Sequence, residues 1–133
     1  MSWRTDLIVR LRADAGVAAA LGTRVAWIEA GGTWSAYPQL VLHEISPGRE
    51  YTHDGPDGLD RPRVQFDVWG QGIAQLEAAE AALLTVMEAG GDQGATRFHE
   101  AALEDRETGV EDLSDQVRIH RLRMDFTFFF ETV

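Results

Sequence analysis

Arg63-Val-Gln-Phe-Asp-Val-Trp69 runs through Gly70-Gln71-Gly72 into an Ala- and Leu-rich stretch that stops at Gly90-Gly91. Val64, Phe66 and Val68 alternate with Gln65, Asp67 and Trp69, the period of a strand with one face buried. Beyond the glycines, Ile73, Leu76, Leu83, Leu84 and Met87 recur at helical spacing, with Glu77, Glu80 and Glu88 on the wet side. A strand that turns directly into an amphipathic helix implies a sheet with a helix laid on its apolar face.

Working outward, Gln116 to Glu131 reads as a long final strand. Leu122, Met124, Phe126, Phe128 and Phe130 share one face, and Arg121, Arg123, Asp125 and Thr127 the other. Val117 and Ile119 have the opposite parity, so either a bulge sits near His120 or Arg121, or the strand changes the face it buries. Arg97 to Arg106 reads as a fourth strand and Glu107 to Asp115 as an acidic turn. On the N-terminal side, Ser2 to Ala15 reads as a helix capped by Ser2, with Trp3, Leu7 and Leu11 in one stripe, broken at Gly16. Val17 to Leu21 adds a short apolar turn closed by Gly22. Arg24 to Glu29 and Leu40 to Ile45 read as strands, the second led by Pro38. Ser46 to Asp60, rich in Gly, Pro and charge, reads as a long exposed loop of the length that tends to be functional. The order α-β-β-β-α-β-β predicts an α+β fold: one mostly antiparallel four- to five-stranded sheet with two helices packed on one face.

The length of 133 residues, with 44% hydrophobic and 26% charged, suits one domain over 1–133 with a core of its own. Cysteine is absent, which excludes disulfides, thiolate metal sites and a cysteine nucleophile. The net charge of −10 argues against a protein that grips nucleic acid through its phosphates. All twelve basic residues are Arg. The N-terminus lacks the apolar core of a signal peptide, and no apolar run reaches membrane-spanning length, so a cytoplasmic protein is expected.

Each chemical motif fails on inspection. Gly70-Gln71-Gly72 sits where a dinucleotide turn would, yet Gln75 stands where the third glycine belongs. Gly90-Gly91-Asp92-Gln93-Gly94 lacks the Lys of a phosphate loop. Asp54, Asp57 and Asp60 lie three apart rather than at the alternate positions of a calcium loop. His43, His53, His99 and His120 form no pair at metal-ligand spacing, and neighbours His43 and Glu44 point to opposite faces of their strand. No serine lies in a nucleophile elbow. No catalytic, cofactor or metal residue is therefore assigned, and the chain is not expected to be an enzyme.

Surface aromatics are the stronger signal. Trp34 and Tyr37 flank a Gly-rich loop, Tyr51 lies in the long loop, Trp69 is on the polar side of its strand, and Phe129 is opposite Phe126, Phe128 and Phe130. Such residues either cover a sheet edge or mark a protein interface.

Read in order, four stretches resemble the tail-completion (tail terminator) proteins of long-tailed, siphovirus-type phages and related gene transfer agents. They are Asp14-Ala-Gly-Val-Ala-Ala-Ala-Leu-Gly-Thr-Arg24-Val, Tyr37-Pro38-Gln-Leu-Val-Leu, Arg63-Val-Gln-Phe-Asp-Val-Trp69, and Arg121-Leu-Arg-Met-Asp-Phe-Thr-Phe. The resemblance implies a ring, usually six-fold, that caps the head-proximal end of a tail tube, stops its polymerisation and joins it to the head connector. It implies assembly in the bacterial host cytoplasm, a place in the virion or virion-like particle, and DNA met only as passing cargo, with no membrane and no cofactor. A head-side neck or adaptor protein is the alternative within the same particle, and a small cytoplasmic ligand-binding domain or enzyme the alternative outside it. Under the terminator reading the Pro47 to Asp60 loop and the acidic Glu104 to Asp115 turn contact a neighbour, the tube or the connector. Arg49, Tyr51, Asp54, Asp57, Asp60, Trp34, Trp69, Glu107, Glu111 and Asp112 are the candidate interface residues, with Arg49 and Tyr51 foremost.

Overall fold

The computed structural model describes residues 2–30, 36–52, 55–114 and 117–133, those at 30, 49–52, 55–59, 113, 114 and 117 by backbone alone. The first helix, α1 (Trp3–Ala13), is capped by Ser2, whose hydroxyl accepts from the amide of Thr5. It ends at Asp14 rather than at Gly16. The Asp14 carboxylate accepts from the amide of Val17 at 3.0 Å and so caps a separate helix, α2 (Ala15–Leu21), with Gly16 inside it. Among the described residues there are therefore three α-helices, the last being α3 (Ile73–Ala89), which starts and stops as the periodicity predicts.

Sheet A is mixed. Its order is β1 (Val25–Trp27), β2 (Gln39–Ser46), β5 (Arg63–Gly70), β9 (Val117–Thr127) and β8 (Ala102–Ser114). β1 runs parallel to β2, and the other pairs are antiparallel. Leu40 and Leu42, Val64, Phe66 and Val68, and Leu122, Met124 and Phe126 all face one side. There they join Leu7, Leu11, Val17, Leu21, Leu76, Leu83 and Met87 of the helices in one buried cluster. Each large aliphatic side chain so buried contributes about 1.5–3 kcal/mol.

Two expectations need correction. The first is the loop over Ser46 to Asp60. It holds two strands, β3 (Arg49–Thr52) and β4 (Gly55–Asp60), which pair with each other and, through Asp60, with Phe130 of β10 (Phe130–Thr132). Together with β6 (Gly91–Gln93) and β7 (Thr96–Phe98) they form sheet B, in the order β3-β4-β10-β7-β6. One sheet becomes two.

The second correction falls between Arg97 and Asp115. The fourth strand expected over Arg97 to Arg106 is split between β7 and β8, and the acidic turn expected over Glu107 to Asp115 is strand as far as Ser114. β8 pairs with β9 along its whole length, and carboxylates on β8 meet arginines on β9. The register of β9 with β5 is continuous through His120, so no bulge lies there; the breaks fall between Leu103 and Asp105 and between Asp112 and Ser114 on β8. β9 changes the face it buries: Ile119 is 2% exposed yet has the parity of Arg121, opposite to Leu122.

Side chains tie the layers together. Trp3 stacks on Phe130 with ring centroids 4.8 Å apart and meets Trp27 edge-on at 5.6 Å. Arg10, almost wholly buried, donates to the carbonyls of Val86 at 2.8 Å and Gly90 at 2.7 Å, closing the C-terminal end of α3. Burial lowers the pKa of this guanidinium, and Asp14 opposes the shift. Asp6, also buried, accepts from the Thr96 hydroxyl at 2.6 Å and so joins α1 to β7.

Candidate assembly surfaces

Sheet A has two ends, and each carries a hairpin. At the first end lie Ser46, Arg63, Thr127 and Ala102, which are register partners in turn. The β3–β4 hairpin leaves here between β2 and β5. Its base needs a glycine: Gly48 has φ +58°, and a Cβ there would lie 1.6 Å from the carbonyl oxygen of Arg61. The amide of Arg61 in turn donates to the Gly48 carbonyl at 2.7 Å. Among the described residues β4 meets the rest of sheet B in one register pair, so the hairpin is held mainly at its foot. Arg49 and Tyr51 lie on β3, and Asp57 on β4; Arg49 is paired through its backbone with Asp60. Asp54, like Trp34, lies outside the described residues.

At the second end Gln39 pairs with Trp69, and Gly70 with His120. The β8–β9 hairpin continues past it to the pair Ser114 and Val117. β5, with eight residues at roughly 3.3 Å each, sets the two ends about 25 Å apart. Glu107, Glu111 and Asp112 are exposed on β8. Trp69 lies at this end on β5, with β9 between it and β8, so four of the ten candidates gather toward this end, and Arg49, Tyr51, Asp57 and Asp60 at the other.

The face of sheet A turned away from the helices is a ladder of ion pairs. Arg63 reaches Asp125 at 3.0 Å, Arg121 reaches Asp67 at 3.1 Å, and Arg123 reaches Glu107 at 2.6 Å and Asp105 at 3.4 Å. Near the hairpin tip Arg118 reaches Asp112 at 2.9 Å. Trp69 is half-buried under Arg121, whose guanidinium lies 4.9 Å from the ring, so it is not a bare aromatic. Phe129 is likewise covered in part by Arg61. Solvated pairs of this kind add little stability each, about 0–1 kcal/mol, but they fix cross-strand register. The opposition of Glu107 and Asp112 on β8 to Arg123 and Arg118 on β9 was the sequence signal by which β8 could have been found.

The glycine-rich turns serve the fold. Gly72 opens α3, and the amide of Gln71 is taken by the Gln75 side chain at 2.8 Å. Gly90 and Gly94 hold positive φ at either side of β6. Near this turn the Arg97 side chain, hydrogen-bonded to Asp92, lowers the Asp92 pKa, and its own is raised by the same bond. His99 contacts Glu131 at 3.1 Å. Among the described residues no three His, Asp or Glu gather in a way that could hold a metal ion. No described helix is long and apolar enough to cross a membrane.

The described residues thus form an α+β core with an ion-paired outer sheet face and a hairpin at each end of that sheet. The sequence matches the family of tail completion protein gp17 over residues 5–131, and the chain belongs to that family. Its role is accordingly structural, in a phage-type tail. No curated protein matches the sequence. Among solved structures the chain is similar to one in the virion of a native gene transfer agent (GTA) particle, with a TM-score of 0.73 at 19% identity, covering 96% of this chain and 93% of that one. At that identity the likeness is one of fold.

Proposed function

We propose that the chain, acting as one unit over 1–133, is a tail terminator. Copies of it form a ring, six-fold as is usual for such proteins, on the head-proximal end of a tail tube. The ring stops the tube from growing and joins it to the head connector. The family match over nearly the whole chain carries this reading. The two dissimilar hairpins at opposite ends of sheet A support it, because a piece set between a tube and a connector needs two unlike axial surfaces. A closed ring also needs a heterologous contact, with two different patches on each subunit.

In this reading Trp34 takes part in the subunit interface, and the β3–β4 hairpin, with Arg49, Tyr51, Asp54, Asp57 and Asp60, contacts one neighbour. Glu107, Glu111, Asp112 and Trp69 contact another. The excess of carboxylates suits a channel that lets DNA pass without holding it. The protein needs no cofactor, is assembled in the bacterial host cytoplasm and becomes part of a virion or gene-transfer-agent-like particle, where its partners are the tail tube and the head connector.

Native mass spectrometry over a concentration series, followed by mixing with purified tail tubes and electron microscopy, tests this. A species of six subunits that caps one end of the tubes is the expected result. Binding to heads but not to tubes would make the chain a neck adaptor instead. Assembly left intact in both Arg49→Ala and Tyr51→Ala would remove those two residues from the interface.

A further inference from the structure

Sheet A ends at β8, a strand of thirteen residues whose outer edge has no partner among the described residues. Such an edge presents a row of free amides and carbonyls ready to pair with another chain. Gly109 lies at its middle. The φ of Gly109 is not in the left-handed region, and an added Cβ would meet nothing within 4 Å, so nothing inside the chain calls for glycine there. Glycine within a strand costs stability, and it marks places where another backbone or ligand comes close. The surface is hollow at this point on both faces. On the ion-paired face Gly109 floors a dimple of about 130 Å³ walled by Glu107, Glu111, Arg121 and Arg123. On the helix face a hollow of about 560 Å³ opens between α3 and β8, with Ile73, Leu76 and Leu122 as its apolar part and Glu77, Glu80 and Arg106 at its rim. Ile73 and Val110 beside it are about half exposed.

We propose that the β8 edge is a docking site for an extended segment of another protein, which adds a strand to sheet A and sends alternate side chains into these two hollows. Strand addition of this kind takes its affinity from main-chain hydrogen bonds and its specificity from pockets for alternate side chains. Charge selects the occupant. β8 carries five carboxylates, Glu104, Asp105, Glu107, Glu111 and Asp112, against the single Arg106. Arg123 and Arg118 of β9 already meet Asp105, Glu107 and Asp112, so Glu104 and Glu111 are the acidic groups left to an incoming chain. The added strand therefore alternates apolar and basic residues. A second β8 would set carboxylate against carboxylate. The other described edges of a second copy, Val25–Trp27, Arg49–Thr52 and Gly91–Gln93, lack that alternation. The occupant is thus a different protein. This inference stands on the strand itself and holds whether or not the chain proves to cap tail tubes.

The test uses the full chain and a synthetic peptide of about twelve residues, the length of β8, alternating valine with arginine. Amide hydrogen exchange is followed by mass spectrometry with the peptide in excess, and a valine–glutamate peptide serves as control. The expected result is slowed exchange confined to 102–114 and its neighbours with the basic peptide alone. Gly109→Val keeps or raises the melting temperature, because a β-branched residue favours the strand, yet it weakens the peptide effect roughly tenfold. The proposal is overturned by no protection at 102–114, by protection spread over the whole acidic surface, or by protection indifferent to Gly109→Val. Protection of 102–114 that grows with protein concentration in the absence of peptide also overturns it, since a second copy would then be the occupant.

Discussion

Arg10→Met removes the one guanidinium that closes the end of α3 and keeps most of the aliphatic stem. The carbonyls of Val86 and Gly90 then lose donors at 2.8 and 2.7 Å. Each bond to a charged donor is worth about 1.5–3 kcal/mol, and a buried carbonyl left unpaired costs about 1–3 kcal/mol. Against this stands the relief of a desolvated cation, since Arg10 is 9% exposed and its Nη1 has no hydrogen-bond partner. The net loss is about 2.5 kcal/mol. At an unfolding entropy of about 2.1 cal/mol/K per residue, a chain of 133 residues loses about 9 °C of melting temperature. Thermal unfolding by circular dichroism, at one fixed protein concentration so that association does not move the midpoint, measures the drop. Arg10→Lys, which keeps the charge but not the two-pronged reach, falls between wild type and Arg10→Met. A drop of less than about 3 °C for Arg10→Met would show that the buried cation costs as much as its two bonds return, and the ledger would be wrong.

Two further substitutions probe the glycines that the fold cannot replace. Gly94→Ala sets a Cβ 2.5 Å from Oδ1 of the buried Asp6 at φ +59°, so urea unfolding should show a loss of about 3 kcal/mol or more, whereas a loss under 1 kcal/mol would mean that Asp6 can move freely. Gly48→Ala clashes with the Arg61 carbonyl and should release the amides of 49–60 to fast exchange while β5 and β9 stay protected; equal loosening of both regions would show that the hairpin is no separate unit.

How much of this was legible follows from how much each element is buried on one side. β5 and α3 were readable almost to the residue, because Val64, Phe66 and Val68, and Leu76, Leu83 and Met87, face the core while their neighbours do not. β8 hid itself for the opposite reason. From Glu104 to Asp112 it is exposed throughout, so no apolar period is impressed on it. β3 and β4 contain Gly55, Pro56 and Gly58, which speak for a turn; the pairing of Asp60 with the distant Phe130 outweighs that local preference. The break at Asp14 could have been anticipated from the capping habit of aspartate, yet the apolar stripe of α1 hides it. The candidate interface residues were chosen by type and loop position, which brought eight of them to the two hairpin ends but could not reveal Gly109, a residue notable for the side chain it lacks.

β9 passes into β10 through only Phe128 and Phe129, so one continuous length of backbone is shared by both sheets. Its eight register pairs with β5 lie across the line joining the two ends of sheet A. Tension applied between those ends therefore loads that ladder in shear: every rung bears force together, and the strands must slide as a unit to part. The same strands pulled apart from one end would unzip rung by rung at far lower force. The molecule is thus mechanically anisotropic, stiffest along the axis on which its two hairpins point away from each other.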